Sequence, residues 1–177
     1  MGSSWLHYPT KRRLQFVAAA PESDGRQLWA ICADFGLMWR LERFEKSVQW
    51  YCLGFAPSGA AWHLLAPVSS RCLWALDVDG QLWVHLVDSC GSTVVVTETR
   101  SESREGREVV NWIKVASPRV SDISCSPDGK VWAVFSSTST LAVRTGISMK
   151  SPSGTGWLLA FEGIVSSVCI KGASVIV

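Results

Sequence analysis

Catalysis needs a nucleophile, an acid or base, or a metal held among converging side chains, and this sequence supplies few such sets. Its three histidines, His7, His63 and His85, lie far apart and away from any nucleophile motif. No Gly-x-Ser-x-Gly, phosphate-cradling glycine loop or His-Glu-x-x-His occurs. The six cysteines (Cys32, Cys52, Cys72, Cys90, Cys125 and Cys169) form no Cys-x-x-Cys pair, so a zinc ribbon is not expected. Several sit in or beside apolar runs, where cysteine serves as a small core residue. These patterns point away from an enzyme and call for no cofactor and no metal.

Binding chemistry has better candidates. An aromatic residue three places before an aliphatic one can fill two pockets of a partner that receives an added strand. Trp50-Tyr51-Cys52-Leu53, Trp62-His63-Leu64-Leu65, Trp83-Val84-His85-Leu86 and Trp112-Ile113-Lys114-Val115 all fit that bare pattern. None has an acidic flank, and three of the four fall in expected strands, where Trp and Leu belong to a core. Trp50 is the least committed to a strand, so Trp50 and Leu53 are the candidate partner-binding pair. Trp and Tyr at loop edges could instead stack on sugar rings. Lys11-Arg12-Arg13 is the one basic run and reads as a solvated strand end. From Glu98 to Glu108 the chain alternates charges with Ser, Thr and Gly and holds no apolar residue. That composition predicts an exposed loop, with Ser101 and Ser103 as accessible hydroxyls.

The elements that must position these residues repeat. Leu73-Trp74-Ala75-Leu76-Asp77-Val78-Asp79-Gly80-Gln81-Leu82-Trp83-Val84 is two apolar runs joined by Asp-Gly, the signature of a tight β-hairpin. Leu28-Trp29-Ala30-Ile31 leads through Asp34-Phe35-Gly36 into Leu37-Met38-Trp39-Arg40-Leu41. Val131-Trp132-Ala133-Val134 leads through a Ser/Thr turn into Leu141-Ala142-Val143-Arg144. Trp29 and Trp74 are 45 residues apart, Trp74 and Trp132 58, and Trp112 and Trp157 again 45. The charged loop accounts for most of the longer gap. Four strands per unit at this period mark a propeller blade. A lone four-stranded sheet leaves apolar faces open, so neighbouring blades must cover them. Within each Trp-Ala pair the large and small side chains point to opposite faces, and the small one permits close approach. Trp29, Trp74, Trp132, Trp62, Trp112 and Trp157 are therefore the expected repeat core.

Composition sets further bounds. At 177 residues the chain is long enough to bury a real core, and ten tryptophans are many for that length. A net charge of +2 gives no bulk attraction to nucleic acid. No apolar run is long enough for a membrane helix, and no apolar leader opens the chain. Leu6 stands where a myristoylation signal needs Ser or Thr. Without a leader or glycosylation sequon, a cytoplasmic setting is expected, with peripheral membrane association left open.

The third unit carries a family likeness. Val131-Trp132-Ala133-Val134, then Leu141-Ala142-Val143-Arg144-Thr145-Gly146-Ile147-Ser148, then Pro152-Ser153-Gly154-Thr155-Gly156-Trp157 resembles the tectonin β-propeller repeat. The second unit matches over Leu73 to Val84 and through Pro57-Ser58-Gly59 before Trp62. It departs at His85-Leu86, where the repeat has Arg-Thr-Gly. The first keeps Trp-Ala, a turn glycine and Arg40. The resemblance implies an all-β fold, an incomplete propeller of about three and a half four-stranded blades. The units run over about 1–56, 57–111 with the charged loop at 98–108, 112–156, and a truncated 157–177. It further implies a non-enzymatic scaffold that binds ubiquitin-like autophagy modifiers and trafficking or tethering complexes in the secretory pathway. A tectonin-like lectin that binds glycans or lipopolysaccharide is the alternative.

Overall fold

The computed structural model describes residues 12–21, 27–43, 48–86, 106–107, 112–126, 128–148, 150–171 and 174–176. Among these residues there is no helix, and the fold is all-β, built of blade-like antiparallel sheets. The first sheet runs β1 (Leu14–Ala19), β2 (Gln27–Cys32), β3 (Met38–Arg43) and β4 (Val48–Gly54), side by side in chain order. The second holds β5 (Trp62–Ser69), β6 (Cys72–Asp77) and β7 (Leu82–Leu86). A two-residue strand, β8 (Gly106–Arg107), crosses back to the first sheet and pairs parallel with β4 at Tyr51 and Cys52. The second sheet is completed by β9 (Trp112–Lys114). The third runs β10 (Val120–Cys125), β11 (Val131–Phe135), β12 (Thr140–Thr145) and β13 (Gly156–Phe161), again in order. A last hairpin pairs β14 (Cys169–Lys171) with β15 (Ser174–Ile176).

Burial explains why the sheets stack. Trp29, Trp74 and Trp132 occupy one register, opposite Arg40, Val84 and Val143 respectively. Ala30, Ala75 and Ala133 follow them and face the other way. Trp29 packs in one apolar cluster with Ala75 of the second sheet, and Trp74 packs in another with Ala133 of the third. In both clusters the wide side chain of one sheet and the narrow one of the next thus belong to one core. Trp29 and Trp74 are fully buried, whereas Trp132 is only half-buried against Val165, Val168 and Ile170.

A second repeated device holds successive sheets in register. The residue with positive φ that closes each second-to-third-strand hairpin is Gly36, Gly80 or Ser139. Its carbonyl accepts a hydrogen bond from the chain entering the next unit: Gly36 O from Trp62 N at 3.0 Å, Gly80 O from Val120 N at 3.0 Å, Ser139 O from Val165 N at 2.8 Å. The first residue of each hairpin donates back to the residue preceding its own first strand: Ala33 to Arg13 O, Val78 to Ala61 O, Ser136 to Arg119 O. Every turn is therefore tied both to its own sheet and to the following one. The first strands β1, β5, β10 and β14 lie alongside one another as a result.

Several expectations are corrected by the pairing. Among the described residues, β1 is an edge of the first sheet and pairs with β2 alone. Trp50, expected to be the least committed to a strand, lies within β4 together with residues 51–54. Trp112 belongs to the fourth strand of the second sheet: it lies opposite His85 and packs on Trp62 with ring centroids 4.6 Å apart. Trp157 likewise sits in a fourth strand, opposite Arg144. Sheet boundaries thus fall one strand later than the sequence units beginning at 112 and 157. Trp62 opens a first strand and is not their counterpart; that place belongs to Trp50, opposite Leu41. Both Pro-x-Gly-x-x-Trp segments make the same turn, with Gly59 N bonding Ala56 O and Gly154 N bonding Ser151 O. One turn joins two sheets and the other joins two strands of one sheet, so motif identity misplaced Trp62. Of the charged loop at 98–108, Gly106 and Arg107 are a strand; Ser101, Ser103 and Cys90 lie outside the described residues, as do His7 and Lys11.

Candidate functional site

The polar residues of the second sheet converge at the β6–β7 turn. Asp77 ends β6 and is 1% exposed. Its Oδ1 accepts the backbone N–H groups of Asp79 at 3.1 Å and Gln81 at 2.9 Å. Its Oδ2 accepts Ser58 Oγ–H and Trp83 Nε1–H, both at 3.0 Å. An aspartate that bonds its own backbone two residues on is what such a turn favours, and four donors offset the cost of burying the charge. Gly80, at φ 78°, closes the turn, and a Cβ there would lie 2.9 Å from Val120 O. The turn is thereby clamped onto the chain between β9 and β10.

That clamp leaves a cleft of about 370 Å³ lined by Ser58, Asp79, Gln81, Lys114, Ser117 and Arg119, with Asp77, Gly80 and Trp83 completing its walls. Gln81 Nε2 bridges Leu82 O and Val115 O, both at 2.9 Å, and fixes one wall. The opposite wall is held by Arg119 O, which accepts Ser136 N–H at 2.9 Å and Ser136 Oγ–H at 3.0 Å. Lys114 and Arg119 are exposed, and neither has an ion-pair partner among the described residues. The Ser117 hydroxyl is shielded from solvent and has no hydrogen-bond partner there.

Beside this wall lies an unusual cation. Arg144 is 7% exposed, and its guanidinium bonds only carbonyls: Ser153 O at 2.7 Å, Ala116 O at 3.2 Å and Gly154 O at 3.3 Å. Trp157 stacks 5.0 Å from it and shares Ala116 O through Nε1–H at 3.3 Å. Burial pulls the guanidinium pKa below its ordinary value. Among the described residues no carboxylate pairs with it. Lys114, Arg119 and Arg144 therefore place three positive groups on or against residues 114–119, beside the carboxylates of Asp77 and Asp79.

The candidates read from the sequence lie elsewhere. Trp50 and Leu53 are both in β4: Leu53 is 8% exposed and belongs to the core between the first two sheets, and Trp50 is half-buried. Leu53 cannot fill a partner's pocket without leaving that core. Trp29, Trp62 and Trp112 gather around His85 between the first and second sheets, with Trp112 and His85 centroids 5.4 Å apart and Trp29 and His85 6.4 Å apart. Trp74 and Trp157 pack between the second and third. Arg12 of the basic run stacks 4.0 Å over Trp39. Burial pushes the Cys72 and Cys125 thiols up to about 11, and Cys125 donates to Pro67 O; such thiols are poor nucleophiles. Among the described residues no group of His, Cys, Asp and Glu could hold a metal, and no helix is long and apolar enough to cross a membrane.

Sequence reasoning missed the cleft. Asp77 reads only as a turn residue, and Lys114 as the interior of an aromatic tetrad. The cleft joins residues from Ser58 to Arg119, and no local pattern announces that β9 returns to the second sheet.

Two solved structures are similar to this chain. Human WBSCR16 is 14% identical, with a TM-score of 0.48; the match covers 78% of this chain and 35% of that one. A candidate 6-phosphogluconolactonase from Bacteroides uniformis is 14% identical, with a TM-score of 0.53, over 90% of this chain and 45% of the other. The present chain therefore spans less than half the length of either. At such identity the second likeness shows the fold alone. No protein-family model matches the sequence, and comparison with curated proteins gives no match.

Proposed function

We propose that this chain is a non-enzymatic interaction scaffold of tectonin β-propeller type. The observation that carries this reading is the doubled turn stitch, in which Gly36, Gly80 and Ser139 each anchor the start of the next unit. A frame so tied presents its turns and connections as fixed surfaces, and the cleft at residues 114–119 is one of them. Its buried polar groups, Asp77 and Arg144, serve the frame: their bonds go to turns and connections. The tectonin resemblance places the scaffold in autophagy and secretory-pathway traffic, with ubiquitin-like autophagy modifiers and tethering complexes as partners. Immobilised modifiers provide the test. Saturable binding of the purified chain by interferometry is expected; no binding to any modifier or tethering complex would remove the cellular reading.

One observation favours a second reading. Ser58, Gln81 and Lys114 line the same cleft as Trp83, the mix of polar and aromatic side chains that a sugar site uses. Retention of the chain on a glycan array, lost in Gln81→Ala, would favour a tectonin-like lectin.

A further inference from the structure

We infer that the cleft between the β6–β7 turn and residues 114–119 binds an acidic side chain of an extended peptide. The inference rests on the scaffold reading and names the partner chemistry of that surface.

Three observations converge. Ser117 offers a shielded hydroxyl with no partner, and such a donor costs stability until an acceptor reaches it. Lys114 and Arg119 line the cleft with it, exposed and without an ion-pair partner among the described residues. Arg144 brings a buried positive charge against Ala116, the residue before Ser117, with only carbonyls to answer it. A buried cation without a counterion is costly, and an anion nearby would offset that cost. A carboxylate seated in the cleft would accept from Ser117 Oγ–H and the two flanking cations. Such charge-assisted bonds are the strong ones.

The two aspartates of the cleft choose among anions. Asp77 has its acceptor sites filled by four donors and offers no free oxygen lone pair to a ligand's donors. Asp79 is exposed. A nucleic acid or an anionic membrane would bring repeated negative charge against both. A peptide brings one carboxylate for the cations and backbone N–H groups for Asp79. The cleft thus suits a ligand with acceptor and donor close together.

The probe is a fluorescein-labelled, C-terminally amidated hexapeptide with one glutamate among glycine and serine, titrated by anisotropy against the full chain. Lys114→Gln, Arg119→Gln and Ser117→Ala are each expected to weaken binding about three- to tenfold, and the double Lys114→Gln/Arg119→Gln variant by about tenfold or more. Asp79→Asn is expected to weaken the peptide and to strengthen inorganic phosphate. Far-ultraviolet dichroism of each variant checks that the sheets persist; among the described residues these side chains make no hydrogen bond or ion pair with the frame, so it should not change. Equal peptide affinity in wild type and the folded double variant would overturn the inference. So would binding of phosphatidylserine vesicles or phosphate, but not peptide, through the same residues. If wild type and the double variant bind the peptide alike while both capture autophagy modifiers, the scaffold reading stands and this one falls.

Discussion

The β6–β7 and β11–β12 hairpins hold the same place in successive sheets, but Asp77 stands in one where Phe135 stands in the other. The equivalence is set by register: Leu76 lies opposite Leu82 and Val134 opposite Leu141, one residue before each turn. Phe135 turns its ring edge-on to Trp157, at 5.4 Å between centroids, and fills its corner with carbon. Asp77 fills its corner with hydrogen bonds to Ser58, Asp79, Gln81 and Trp83. Carbon packing closes a corner to solvent. A carboxylate has to draw donors around itself, and the chain that supplies them leaves a polar cleft beside it. The frame is the same in both sheets, and one side chain decides whether its corner is filled with carbon or borders a polar cleft.

The sharpest way to break that contrast is to truncate both residues. Asp77→Ala strands the buried Trp83 N–H and the two turn N–H groups, so it is expected to cost about 3–5 kcal/mol. Phe135→Ala removes half-buried carbon and should cost about 2 kcal/mol, below the range for a fully buried ring. Urea denaturation of both variants measures the difference. Equal losses would mean that Asp77 does not organise its corner.

A smaller effect is expected at the residue that closes each turn. Gly80 and Ser139 both have positive φ, 78° and 51°. Gly80→Ala adds a Cβ 2.9 Å from Val120 O, on top of an unfavourable backbone conformation, and should cost about 1–3 kcal/mol. Ser139→Gly relieves the same conformation in the third sheet and should raise stability by at most about 1 kcal/mol. Thermal melts of the two would show shifts of opposite sign; a stabilised Gly80→Ala protein would show that the stitch to Val120 is not tight.

What could be read from the sequence follows the range of each interaction. Trp29, Trp74 and Trp132 announce the repeat because alternation and Asp-Gly turns are local, and the structure places all three in one register. The assignment of strands to sheets was not legible. Trp62 and Trp157 share a local motif, yet one follows a turn between sheets and the other a turn within one. The cleft was hidden for a related reason: Lys114 and Ser117 reach Asp79 only because β9 pairs with β7 across an insertion of more than twenty residues. The same insertion sends Gly106–Arg107 to the edge of β4, a pairing its charged composition conceals.

The finest contrast lies within the third sheet, between two carboxylates that answer pH with opposite sign. Asp122 accepts Val168 N–H and Ile123 N–H, each at 2.8 Å, but burial outweighs those bonds and the nearby His63, and holds its pKa above the ordinary 3.8. Its proton is therefore bound more tightly in the folded chain. The stability it contributes is complete below 3.8 and is lost as pH rises through the folded pKa. Asp128 is fully exposed; Lys130, at 2.7 Å, and the Ser126 hydroxyl hold its pKa down at about 2. Its contribution is present above 3.8 and is lost as pH falls through about 2. Urea midpoints of wild type, Asp122→Asn and Asp128→Asn between about pH 2 and 7 separate the two. Wild type should gain on Asp122→Asn as pH falls from neutral towards 3.8, and should lose ground to Asp128→Asn from there downward. Val168 belongs to the segment that leads into β14, so the first slope also measures how firmly the third sheet holds the following unit. A flat Asp122 difference would mean that this junction opens before the carboxyl titrates.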